Sequence, residues 1–182
     1  MAEPIFESPV TTTYPQGGGA LALSDQSSTH KTLVRADTDS AAAEALGVAF
    51  GQSRRDGALV CGTRPGEWLL LGSAEECAAI SDALDTSGHV TVVNFTHGRA
   101  LFRLTGADAA RAMEKVSNLD WSDPMTPDGA VVSGSVAKTG ADIIRDDVDG
   151  VRSYLLACDR SFGQYLFDAL LDAGDEFGIG VA

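Results

Sequence analysis

The sequence predicts an α+β fold of two tandem ferredoxin-like βαββαβ units packed together. Three observations lead there. Apolar spacing switches repeatedly between two residues and three to four, the mark of strands alternating with helices. The elements so defined run strand, helix, strand, strand, helix, strand, and the cycle then repeats. A chain of 182 residues with 44% hydrophobic content can bury the core such a pair needs. One unit alone has one sheet and two helices, too little to keep water from both sheet faces, so the two must pack on each other.

Residues 1–30 hold Pro4, Pro9, Pro15 and the triple glycine Gly17 to Gly19, with Thr/Ser filling and no sustained period. That composition predicts a flexible N-terminal arm, either a disordered end or a segment that orders against a partner chain. The folded part is expected over 31–182, with units at about 31–97 and 98–182.

K-T-L-V-R-A from Lys31 opens the first unit as a strand, and S-A-A-A-E-A-L-G from Ser40 follows as a short helix that Gly47 stops. Strands from Leu59 and Glu67 are joined by a turn with Pro65 and Gly66. Ser73 and Glu76 form an S-x-x-E capping box before Cys77, Ile80 and Leu84 at helical spacing. H-V-T-V-V-N-F from His89, rich in branched residues, completes the unit as a strand.

In the second unit R-A-L-F-R-L from Arg99 puts Ala100, Phe102 and Leu104 on one face with Arg99 and Arg103 opposite. Thr105 and Asp108 open a helix through Met113 and Val116. A loop with Asp120, Trp121, Pro124 and Pro127 leads to strands from Ala130, Asp142 and Tyr154. Phe162, Leu166, Ala169 and Leu170 then mark an amphipathic helix ended by Gly174, with Phe177 to Val181 as a last strand.

Composition narrows the function. Twenty-six acids against 13 bases give a net charge of −13, which repels phosphate backbones and anionic lipid, so neither nucleic acid nor a membrane is expected as a partner. The first 22 residues lack the basic start and apolar run of a signal peptide, and no stretch of eighteen apolar residues occurs, so the expected location is cytoplasmic. Cys61, Cys77 and Cys158 sit far apart among apolar neighbours and read as buried reduced thiols.

The reactive signatures fail one by one. His97 has the residue type of a general base, but no orienting acid is evident beside it, and a turn with Gly98 supplying freedom is the simpler reading. R-D-D-V-D-G from Arg145 places Asp147, Asp149 and Gly150 as in a calcium loop, yet Arg145 and Leu156 occupy the strongest ligand positions, so a tight turn is expected and no metal site. Lys138 and Thr139 lack the glycines of a phosphate loop. Trp68 starts an apolar strand and reads as core. Trp121, in a loop between acids, reads as folded back on the sheet or as an interface anchor, and Arg99 and Arg103 as an outward basic face for an acidic neighbour.

N-F-T-H-G-R from Asn94 and L-T-G-A-D-A-A from Leu104 resemble the folate-binding module of the glycine cleavage T protein and its relatives. R-P-G-E-W-L-L-L-G from Arg64, S-N-L-D from Ser117 and R-S-F-G-Q-Y-L from Arg160 are similar to one branch, the gamma subunits of heterotetrameric sarcosine oxidase, over about Lys31 to Gly174. The resemblance implies the folate-module fold of aminomethyltransferases and a non-catalytic role beside alpha, beta and delta subunits, in a complex that oxidatively demethylates sarcosine to glycine. FAD, FMN, NAD and tetrahydrofolate would belong to the complex, with none held by this chain. The alternative it implies is a tetrahydrofolate-dependent one-carbon transferase or demethylase subunit, with Asp120 as the cofactor-binding acid if folate binds.

Overall fold

The computed structural model describes residues 5–14 and 20–182. Elements follow in the order β1 (Leu21–Asp25), β2 (His30–Arg35), α1 (Ala41–Leu46), β3 (Ser53–Asp56), β4 (Ala58–Arg64), β5 (Glu67–Gly72), α2 (Ala74–Ser81) and β6 (Thr91–Asn94). The second half contributes β7 (Arg99–Gly106), α3 (Ala109–Val116), β8 (Val131–Val136), β9 (Thr139–Arg145), β10 (Ser153–Asp159), α4 (Gly163–Gly174) and β11 (Ile179–Val181).

Local sequence explains where the helices begin and end. The Ser40 hydroxyl accepts from the Ala43 amide at the start of α1, and Gly47 closes it at φ 59°, a left-handed turn that costs glycine little. The capping box of α2 is complete: Ser73 Oγ accepts from the Glu76 amide at 3.1 Å, and the Glu76 carboxylate accepts from the Ser73 amide at 2.7 Å.

Two units result, their sheets antiparallel at every strand pairing among the described residues except β1 with β11. The first forms a five-stranded sheet in the order β3-β4-β5-β2-β6, which is the ferredoxin-like arrangement with β3 added at one edge. The second is a six-stranded sheet, β11-β1-β7-β10-β9-β8, with β8 added at the matching edge. Here β1 lies between β7 and the strand that would normally adjoin it, and β11 runs parallel to β1 one place farther out.

That insertion corrects the reading of residues 1–30 as a flexible arm. Leu21 and Leu23 are fully buried, and Leu21 to Asp25 pair with Gly106 to Phe102. The second unit is therefore completed by chain from before the first. Residues 5–14 lie along α4: Gln164 Oε1 accepts from the Thr11 and Thr12 amides at 2.7 and 3.1 Å, and the Tyr14 ring sits 5.4 Å from that of Phe167. The remainder of that segment, 1–4 and 15–19, is outside the described residues.

The layers are helix, sheet, sheet, helix. Phe102, Leu104, Met113, Leu156, Leu166 and Phe167 fill the space between the six-stranded sheet and α3/α4. Val34, Leu46, Val60, Trp68, Leu70 and Cys77 do the same beneath α1 and α2, with Trp68 Nε1 donating to Val48 O at 2.8 Å. A third cluster, including Leu59, Cys61, Leu69, Leu71, Leu101, Ile144 and Leu155, lies where the two sheets face each other. Backbone bonds also cross the seam, from the Ser53 amide to Gly129 O at 2.7 Å and from the Val131 amide to Gly51 O at 2.9 Å. All three cysteines are free and buried, and burial lifts the Cys158 thiol to about 11.

Lys31 is fully buried. Its Nζ donates to Ser27 O at 2.8 Å and Thr29 O at 2.9 Å, tying β2 to the turn after β1. Burial pushes its ammonium down to about 8, with Asp25 opposing the shift and Arg160 adding to it. An unfolded lysine keeps its proton up to about 10.4. Between the two values unfolding takes up a proton, so stability rises with pH across that window. The native protein is expected to gain stability relative to Lys31→Met from about pH 8 to about pH 10.4, read from denaturant midpoints. A difference that is flat or falls with pH contradicts this.

Candidate functional site

Charged side chains converge at the open end of the inter-sheet space, in a cleft of about 240 Å³. The strands dictate the convergence. Residues at i and i+2 share a face, so Arg99 and Arg103 accompany Leu101 toward the opposing sheet, while Ala100, Phe102 and Leu104 turn to the helices. The same alternation sets Asp142 beside Ile144.

Asp142 is 1% exposed. It accepts from Ser133 Oγ at 2.6 Å and Arg64 Nη2 at 3.3 Å, and it pairs with Arg99 Nη2. Arg99 Nη1 also reaches Asp159 at 2.9 Å. Across the cleft Glu67 accepts from Arg35 Nε at 2.8 Å, Arg64 Nη1 at 2.5 Å and Thr63 Oγ1 at 3.2 Å. Burial alone would raise the Glu67 carboxyl, but hydrogen bonds from Arg35 and Arg64 outweigh it and hold it below its ordinary value. Three guanidinium groups thus face three carboxylates, and Arg64 bridges the two sheets by contacting both Glu67 and Asp142.

A second network lies along the same seam. Arg103 Nη2 meets Asp146 at 2.6 Å, and Arg55 from β3 meets the same carboxylate at 3.0 Å. Arg145 pairs with Asp147 at 2.9 Å and Asp123 at 2.5 Å, and donates to Thr126 O at 2.7 Å, which fixes the loop before β8. The sequence expectation that Arg99 and Arg103 form an outward basic face is therefore corrected. Their charges are met by acids of the same chain, because the face opposite Phe102 is a second interior.

Trp121 also turns into the chain's own interior. It is 1% exposed, and its ring meets Tyr154 edge to face at 5.3 Å, beneath the six-stranded sheet. Within this chain the side chain is folded back on the sheet, one of its two sequence readings. Asp120, its neighbour, is exposed. Its carboxylate accepts from the Ser122 amide at 2.9 Å in a local turn, and hydrogen bonding to Ser122 lowers it. Asp120 lines neither the cleft nor the two open grooves flanking Phe50, of about 700 and 650 Å³.

His97 occupies the turn between β6 and β7, its ring 5.6 Å from Phe6. Gly98 is needed there for a steric reason rather than for conformational freedom: a Cβ would lie 2.6 Å from the Phe95 ring. Ala137 and Lys138, at φ 48° and 64°, make the tight β8-β9 turn, and Asp149 and Gly150 make another between Val148 and Val151. Among the described residues no group of three or more His, Cys, Asp or Glu is arranged to hold a metal, and no helix is long and apolar enough to cross a membrane.

The cleft does not fit a folate. Its volume is below the roughly 300–1,000 Å³ of small-molecule sites, and its charged groups already bind one another. Sequence reasoning missed Asp142, Glu67 and Arg64 as a group. The available signal was an acid or a base at the inward phase of an apolar strand.

Comparison with known proteins agrees with this fold. The family model "Sarcosine oxidase, gamma subunit family" matches residues 35–176. Heterotetrameric sarcosine oxidase from Corynebacterium sp. U-96, solved in complex with pyrrole 2-carboxylate, contains a chain 23% identical with a TM-score of 0.76, covering 89% of this chain and 88% of that one. Glycine cleavage system aminomethyltransferase T from Bartonella henselae is 17% identical with a TM-score of 0.66, covering 89% of this chain and 47% of that one, so this chain corresponds to about half its length. No curated protein matches.

Proposed function

This chain belongs to the sarcosine oxidase gamma subunit family, and from that premise we propose that it is the non-catalytic gamma subunit of a complex that oxidatively demethylates sarcosine to glycine. The complex passes electrons to oxygen as hydrogen peroxide and the one-carbon unit to tetrahydrofolate. Alpha, beta and delta subunits are its partners and carry the FAD, FMN, NAD and folate. The compartment is the cytoplasm.

One observation carries the reading: the convergent charged residues of the fold are paired with one another. Guanidinium and carboxylate groups that face a cleft in equal number neutralise it and hold two sheets together. A site built to bind a substrate or a cofactor presents groups that await the ligand instead. Phe50 and Met125, 60% and 64% exposed around one groove at the seam, add an apolar surface of the kind a subunit buries.

Co-expression with the alpha, beta and delta chains tests the proposal. A tag on this chain should retain all three through gel filtration in fixed ratio. Elution of this chain as a free 18.9 kDa monomer while the others assemble without it would overturn the proposal.

A further inference from the structure

The two sheets are equivalent in plan but unequal in extent. Each has a strand that leads into a first helix, β2 in one unit and β7 in the other. Beyond β7 the six-stranded sheet continues through β1 to β11. Beyond β2 the five-stranded sheet has only β6 and then stops. β6 and β11 each follow the second helix of their unit, so the strand without a counterpart among the described residues is β1, and the five-stranded sheet ends one strand sooner on this side.

Among the described residues nothing pairs with the edge left by that difference. Thr91 to Asn94 are all exposed, with Val92 and Val93 at 39% and 42%. The strand has no lysine or proline, the residues that usually blunt a free edge. Its pairing with β2 shows which backbone groups are unused. The Phe95 amide donates to Lys31 O at 2.8 Å, and alternation along an antiparallel ladder then turns Val93 and Thr91 toward β2. The amides and carbonyls of Val92 and Asn94 face away.

We infer that β6 is a docking edge, which receives an extended segment of another subunit as the sixth strand of this sheet. The inference rests on the subunit reading above and names the surface it would use. Main-chain bonds from Val92 and Asn94 would give affinity, and the two valines set the side-chain chemistry. Val92 shares its face with Val34, toward the helices, and Val93 shares its face with Leu33, toward the cleft. The incoming strand should therefore be apolar on both faces.

Charge decides between a different chain and a second copy. Edge-to-edge pairing of two copies would bring together two bodies of charge −13 each, which repel. A partner segment with lysine or arginine flanking its apolar residues is attracted instead.

Hydrogen exchange on the full chain, free and in the co-expressed complex with alpha, beta and delta chains, tests this. The Val92 and Asn94 amides should exchange roughly tenfold or more slowly in the complex. Val92→Pro removes an outward amide and leaves the ladder to β2 intact. It should weaken assembly roughly tenfold or more with little change in the melting temperature of the free chain. A complex that forms while β6 exchanges as it does in the free chain overturns the docking edge and leaves the subunit reading standing. Failure of this chain to join the complex removes both. A concentration-dependent dimer of the free chain that protects Val92 and Asn94 overturns the choice of partner.

Discussion

Replacing Asp142 by alanine is expected to lower stability by about 3–5 kcal/mol, the range for breaking a buried ion pair from one side. The cost comes from what stays behind. Arg99, with its side chain 13% exposed, would lose its main carboxylate, and Ser133 and Arg64 would lose the acceptor that joins them to it. Asp159 is 67% exposed and compensates little. In a domain of this size the melting temperature should fall by on the order of 10 °C. Asp142→Asn, which keeps the shape and one acceptor oxygen, should lose less. A change under about 1 kcal/mol for Asp142→Ala would mean that the cleft does not hold the sheets together. Chemical denaturation with a single transition read by two probes measures it.

Trp121→Ala should cost about 3–5 kcal/mol in the isolated chain, the usual range for emptying a buried aromatic site. The ring is 1% exposed and packs edge to face on Tyr154. The loop that carries it is anchored from the other side by Arg152, whose guanidinium donates to Trp121 O at 3.2 Å and pairs with Asp123. An interface role would give a different outcome, with the free chain stable and assembly weakened. Measuring the melting temperature of the free chain separates the two, and an unchanged value contradicts the packing described here.

Much of the fold was legible because local and tertiary preferences agree. The Ser73–Glu76 box, the glycine after Leu46 and the alternation of Ala100, Phe102 and Leu104 each name an element whose packing keeps the same pattern. β1 was not legible, since two leucines between a triple glycine and an acid give too short a period, and the strand exists because β7 and β11 flank it. β3 was missed for a related reason: S-R-R-D has no apolar side, and the strand is held by β4 and by the Arg55–Asp146 pair.

The candidate site was harder still. Alternation told that Arg99 and Arg103 oppose the apolar face of β7, but it could not tell that a second sheet lies across from them. Polar residues at alternate positions normally mean solvent. Here they meet Asp142 and Asp146, whose partners are 43 residues away in sequence. A long-range ion pair leaves no periodic trace, which is why the same residues suggested an outward face. Asp120 shows the reverse case: its place in the loop was clear, and its distance from the charged cleft was not.

Titration calorimetry of the isolated chain with tetrahydrofolate tests most directly whether the fold works by docking, with its charged cleft closed by its own ion pairs. The expected result is no saturable heat at micromolar ligand, with the chain folded throughout. One-to-one micromolar binding that disappears in Asp120→Asn would contradict it and make this chain a folate-dependent enzyme subunit.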